Sequence, residues 1–156
     1  MSVSADILTR ARDAGVMIAT AESCTGGMVS AALTDIAGSS DVFERGFVTY
    51  TNAAKVEMLG VSTATLDAHG AVSEEVAAEM AEGALALSRA QLAVSITGIA
   101  GPGGSEFKPE GRVCFAIAES GTPAKTETVE FGPLGRAEVR KAARDHALNL
   151  LLVTLT

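Results

Sequence analysis

Residues 20–32 read TAESCTGGMVSAA, with Ser23, Cys24 and Thr25 consecutive and the pair Gly26–Gly27 directly behind them. The run that follows is apolar and built from small residues, as at the mouth of a helix. A single Ser or Thr is enough to cap a helix. Two hydroxyls and a thiol exceed that need, and the surplus points to a nucleophile beside a group that positions a ligand. A nucleophile at a helix mouth has backbone amides beside it as an oxyanion hole, where one donor is typically worth ~3 kcal/mol. Ser23 is the first candidate. Cys24 is the rival, with no histidine in sight to activate it. Glu22 reads as a hydrogen-bond acceptor or a cap, with no chemistry assigned.

A nucleophile needs a base. Only His69 and His146 are present, and His146 falls among the inward positions of the last helix. Lys55 is the better candidate. It lies in the first turn of a helix starting near Asn52, where the dipole opposes its charge, and burial there would lower its pKa toward a useful range. An ordinary surface lysine is the competing reading. Tyr50, the only tyrosine, reads as a proton relay or as a core ring with its hydroxyl at the surface. Arg136 and Arg140 are four residues apart on one face of the last helix, suited to holding a phosphate or to lying in solvent.

Three loops are rich in glycine or serine: ESCTGG, AGSS with Ser39, and TGIAGPGG with Thr97, Gly98 and Gly101. In open α/β sheets, ligands collect at the carboxyl ends of strands. The first and third loops would lie there, with Thr25, Gly26 and Gly27 letting backbone amides approach a phosphate or an oxyanion. Neither nucleotide-binding glycine fingerprint is present. Simple turns and caps are the alternative, above all for AGSS.

The elements that must hold these residues follow from the hydrophobic pattern. The chain has 156 residues, 47% hydrophobic but only 4% aromatic. One domain spanning 1–156 is expected, with a core of Ala, Val, Leu and Ile. A net charge of -7 and a pI near 4.8 argue against nucleic acid as a partner. Two cysteines and two histidines suggest neither a disulfide framework nor a metal site. No stretch approaches a membrane span, and the N-terminal residues do not read as a signal peptide, so a cytoplasmic location is expected. The periodicity predicts helices over 5–14, 28–35, 52–60, 73–89 and 134–156, with a short turn of helix near 62–70. It predicts strands over 16–20, 47–50, 92–97, 112–119 and 125–131, the last two as a hairpin. Alternating helices and strands with a late hairpin make a three-layer α/β/α sandwich with a mixed sheet.

The stretches AESCTGG, VTYTN, HGAVSEEVA and TGIAGPGG together resemble the CinA C-terminal domain family. Its stand-alone members are nicotinamide-nucleotide amidohydrolases, which turn nicotinamide mononucleotide into nicotinate mononucleotide and ammonia in the pyridine nucleotide cycle. The resemblance implies Ser23 as nucleophile, Lys55 as base, Tyr50 as an aide, and no metal or cofactor. It also implies a ligand site lined by Thr25, Gly26, Gly27, Ser39, Asn52, Thr97, Gly98 and Gly101, with Arg136 or Arg140 assisting at the phosphate. A homo-oligomer is implied, with a dimer favoured. The family's link to competence and DNA damage keeps open a regulatory module that binds a pyridine nucleotide without consuming it. Two places depart from relatives: KPEGRVCF stands where they usually read KPVGTVWF, and GPLGR where they tend to show GDR.

Overall fold

The computed structural model describes residues 2–105 and 107–156; Glu106, in the stretch between the strands expected over 92–97 and 112–119, lies outside the described residues. Eleven elements follow one another: α1 (Val3–Ala14), β1 (Ile18–Glu22), α2 (Met28–Thr34), β2 (Phe43–Val48), α3 (Asn52–Leu59), α4 (Thr63–His69), α5 (Glu74–Ala86), β3 (Leu92–Gly98), β4 (Arg112–Glu119), β5 (Lys125–Glu130) and α6 (Arg136–Thr154). A single 3-10 turn (Ser39–Asp41) precedes β2. The hairpin strand β4 falls where the pattern puts it. By contrast, β1 runs two residues later than expected and takes in Glu22, and β2 begins four residues earlier. Both shifts put polar residues inside strands, where apolar periodicity is silent. The expected turn at 62–70 is a full helix, capped by Ser62 accepting from the Ala64 amide.

The five strands form one sheet in the order β2-β1-β3-β4-β5. β1 pairs in parallel with β2 and β3, while β4 pairs antiparallel with both β3 and β5. The carboxyl ends of β1, β2 and β3 therefore share one edge of the sheet, the edge at which Ser23, Tyr50 and the third glycine loop emerge.

Alternation along the strands divides the core in two. On one face Ile18, Val94, Ile96, Phe115 and Ile117 meet α1, α2 and α6 through Leu8, Leu33, Val139 and Leu151. On the other, Ala19, Ala21, Ala93, Ala116 and Ala118 meet α3, α4 and α5. The apolar residues buried on that second face are mostly alanine, and α5 answers with Ala77, Ala81 and Ala84. The helix thus comes close enough for Ser95 Oγ to donate to the Ala77 carbonyl at 2.6 Å. The same closeness brings α5 against the end of α3. A Cβ at Gly83 would stand 2.1 Å from the Leu59 carbonyl oxygen. Gly83→Ala should therefore lower the unfolding free energy by about 1–3 kcal/mol, outweighing the ~1 kcal/mol that alanine gains in an open helix. Thermal unfolding checks it, with a midpoint several degrees lower expected.

Candidate active site

Ser23 follows β1 directly, and its amide extends the ladder by donating to the Ile96 carbonyl at 3.0 Å. Alternation turns its side chain toward the α3 face. Thr51, one residue earlier than the expected Asn52, caps α3 by accepting from the Ala54 amide at 3.1 Å. This fixes the first turn of α3 and aims Lys55 inward. Lys55 is 1% exposed, an uncommon state for lysine. Its Nζ donates to Ser23 Oγ at 3.1 Å and to the Tyr50 carbonyl at 3.3 Å. Ser23 Oγ lies 3.4 Å from that same carbonyl and donates to it. The serine and the lysine therefore form a compact pair closed by one backbone oxygen.

The turn that carries Ser23 is organised by the residue before it. Glu22 is fully buried. Its Oε1 accepts from Thr25 Oγ1 at 2.7 Å and from the amides of Gly27 and Val29 at 3.2 and 2.9 Å. Its Oε2 accepts from the Ser30 amide at 3.0 Å and Ser30 Oγ at 2.7 Å. The N-cap residue, Gly27, has no side chain to offer and sits at φ +105°. The carboxylate takes over the capping role and meets the positive end of α2. This corrects the expectation that those amides await a ligand. Thr25 is buried against Glu22, and neither Thr25, Gly26 nor Gly27 lines the cleft. Their work is to shape the turn.

Ser23 and Lys55 lie on the wall of a cleft of about 340 Å³. Tyr50, Asn52, Thr97, Gly98, Gly101 and Arg136 also line it. Thr97 is buried and donates to the Ala71 carbonyl at 2.8 Å, tying the end of β3 to the segment after α4. Gly98 has no room for a side chain: a Cβ would meet Val113 Cγ2 at 2.7 Å and Cys24 Sγ at 3.1 Å. Arg136 opens α6 and spans the cleft mouth. Its Nη1 donates to the Gly101 carbonyl at 2.6 Å and its Nη2 to the Tyr50 hydroxyl at 2.7 Å. The phenol of Tyr50 thus engages Arg136, and it is the Tyr50 carbonyl that touches the serine–lysine pair. Tyr50 is 56% exposed, which removes the reading as a core ring.

Two further expectations are corrected. Arg140 does not line the cleft: its Nε and Nη2 donate to the carbonyls of Cys24 at 3.0 Å and Thr25 at 3.3 Å, bracing the turn from behind. Ser39 precedes β2 and so lies at the opposite end of the sheet from the cleft. Cys24 is a poor nucleophile, because burial pushes its thiol up to about 11. His146 serves the core, paired with Glu127 and packed 4.5 Å from the Phe115 ring centre.

Sequence reasoning missed Lys108 and Glu110; Glu22 has the acceptor and capping role expected of it, and what went unread is that it organises the whole turn. Glu110 accepts from the Gly103 amide at 2.7 Å and the Gly135 amide at 3.2 Å, fastening the third glycine loop to the base of α6. Lys108 Nζ donates to the carbonyls of His69 and Val72, each at 2.6 Å, and joins two walls of the cleft. Glu22 did leave a signal, a lone acid in an apolar run. Lys108 and Glu110 act on distant backbone and left none.

The sequence profile of the CinA C-terminal domain matches residues 1–155. The nicotinamide-nucleotide amidohydrolase PncC of Escherichia coli K12 is 52% identical over 152 residues, covering 97% of this chain and 92% of that protein. A CinA-like protein of Chlorobium phaeobacteroides is 59% identical over 120 residues, covering 75% of this chain but 29% of the longer protein. In solved structures, the competence/damage inducible protein CihA from Agrobacterium tumefaciens superposes with a TM-score of 0.93 at 50% identity, covering 98% of this chain and 93% of that one.

Two measurements test the turn. Glu22→Gln puts an amide N–H₂ in place of one acceptor oxygen and should destabilise the fold by about 2–4 kcal/mol, read by denaturant unfolding. Cys24 should resist alkylation by iodoacetamide at pH 8 in the folded protein and react once it is unfolded, while Cys24→Ala keeps the fold.

Proposed function

The chain belongs to the CinA C-terminal domain family, and from that premise we propose that it hydrolyses the carboxamide of nicotinamide mononucleotide to nicotinate mononucleotide and ammonia. The observation that carries the reading is the buried Lys55 amine 3.1 Å from Ser23 Oγ on the wall of the cleft.

A buried ammonium is costly to keep charged, so the amine is suited to accept a proton and to give it back. Ser23 Oγ attacks the amide carbon while its proton moves to Lys55 Nζ. The tetrahedral adduct collapses as Nζ returns that proton to the leaving nitrogen, and ammonia departs. Water then gives a proton to Lys55 and attacks the Ser23 ester. The acid leaves, and Ser23 recovers its proton from Nζ. The α2 amides bound to Glu22 are committed, so the developing oxyanion is assigned to the Cys24 amide, directly after the nucleophile. The positive pyridinium ring activates its own carboxamide. Arg136 and the third glycine loop, at the cleft mouth, take the 5′-phosphate. The reading treats residues 1–156 as one amidohydrolase domain that works in the cytoplasm as a homo-oligomer, with a dimer favoured.

The test is turnover of excess nicotinamide mononucleotide, followed by chromatography of the acid product. Ser23→Ala should abolish it, and Lys55→Met, which keeps the stem in place, should slow it by about 10²–10⁴-fold. Arg136→Ala should raise KM for the mononucleotide and leave the phosphate-free riboside unaffected. Near-full turnover by Ser23→Ala would remove the mechanism. Tight binding without any turnover by the wild type would favour a sensing module instead.

A further inference from the structure

Thr49 sits between β2 and the residues of the site. Its amide donates to the Glu22 carbonyl at 2.9 Å, which continues the β1–β2 ladder past Glu22↔Val48. Ser23 and Thr49 are therefore neighbours across the two chains. Alternation sends their side chains to the same side. Ala21 and Phe47, two residues earlier on each strand, both belong to the core on the α3–α5 face. Ser23 turns that way to meet Lys55, whereas Tyr50, one residue after Thr49, reaches Arg136 of α6 on the other face. Thr49 is thus directed to the side that holds Lys55. It is fully buried, and among the described residues its Oγ1 is the one buried side-chain oxygen or nitrogen with no hydrogen-bond partner. Leaving such a hydroxyl unsatisfied is destabilising, and valine, of nearly the same shape, would avoid that cost.

We infer that Thr49 is a positioning residue for the reaction: its hydroxyl accepts an N–H from the Lys55 ammonium that forms when Ser23 gives up its proton. This rests on the amidohydrolase reading above. As Oγ bonds the amide carbon it becomes an ether-like oxygen of the tetrahedral adduct, a weak acceptor, while Nζ has gained a hydrogen. An acceptor unused in the resting enzyme and engaged in the charged intermediate lowers the barrier without tightening substrate binding. The unsatisfied hydroxyl of the ground state and the catalytic gain are two sides of one arrangement.

The test compares wild type, Thr49→Val and Thr49→Ser by kcat and KM for nicotinamide mononucleotide and by thermal midpoint. Thr49→Val should lower kcat about tenfold or more, the scale of one hydrogen bond to a charged group, with KM unchanged. Its midpoint should equal or exceed that of the wild type. Thr49→Ser keeps the hydroxyl and should restore most of kcat. Wild-type kcat in Thr49→Val, a change confined to KM, failure of Thr49→Ser to restore kcat, or a lower midpoint or loss of fold in Thr49→Val would each overturn the assignment while the wild type remains active. Absence of turnover in the wild type would overturn the amidohydrolase reading and this assignment with it.

Discussion

The buried carboxylate of Glu22 is the interaction on which the site depends. Taking a carboxylate out of water costs several kcal/mol even after the surroundings relax. Here three amides and two hydroxyls replace the lost water. Hydrogen bonds to a charged group are worth about 1.5–3 kcal/mol each, enough in sum to offset the desolvation. What the exchange secures is position. The helix α2 has seven residues and no side-chain cap of its own, and a helix that short does not hold itself in water. Anchored on Glu22, it gives the intervening turn a fixed end, and Ser23 leaves β1 in a fixed direction.

The helix α6 completes the arrangement from the opposite layer through two arginines with separate tasks. Arg140 holds the carbonyls of the turn. Arg136 spans the cleft mouth between the glycine loop and the Tyr50 hydroxyl. Ser23, Lys55 and the cleft mouth come from segments far apart in sequence, and the parallel edge of the sheet gathers them. The switch to antiparallel pairing at β4 brings the chain back under the glycine loop, so that Glu110 and Lys108 can fasten it.

Much of this was legible in the chain. Alternating apolar runs gave the three layers and the mixed sheet, and the hydroxyl-rich turn with a lysine one helix later pointed to Ser23 and Lys55. The errors share a cause. Residues 21–22 and 43–46 are strand despite Glu22, Glu44 and Arg45, because backbone ladders and Glu22's private network override a polar composition. The glycines of ESCTGG read as an anion cradle because sequence shows which amides a turn frees, not which acid reaches them first. The two arginines looked equivalent at four-residue spacing. Only the packing of α6 shows that one faces the cleft and the other the back of the turn.

The scarcity of aromatic residues has an optical corollary. The chain has no tryptophan and one tyrosine, and that tyrosine stands at the cleft mouth with its hydroxyl on Arg136. Its ultraviolet emission is thus a signal from a single place in the molecule, free of contributions from the core. Whatever enters the cleft and competes for that guanidinium changes the surroundings of the only strong fluorophore present. The wild-type chain therefore carries its own reporter of occupancy, with no label required.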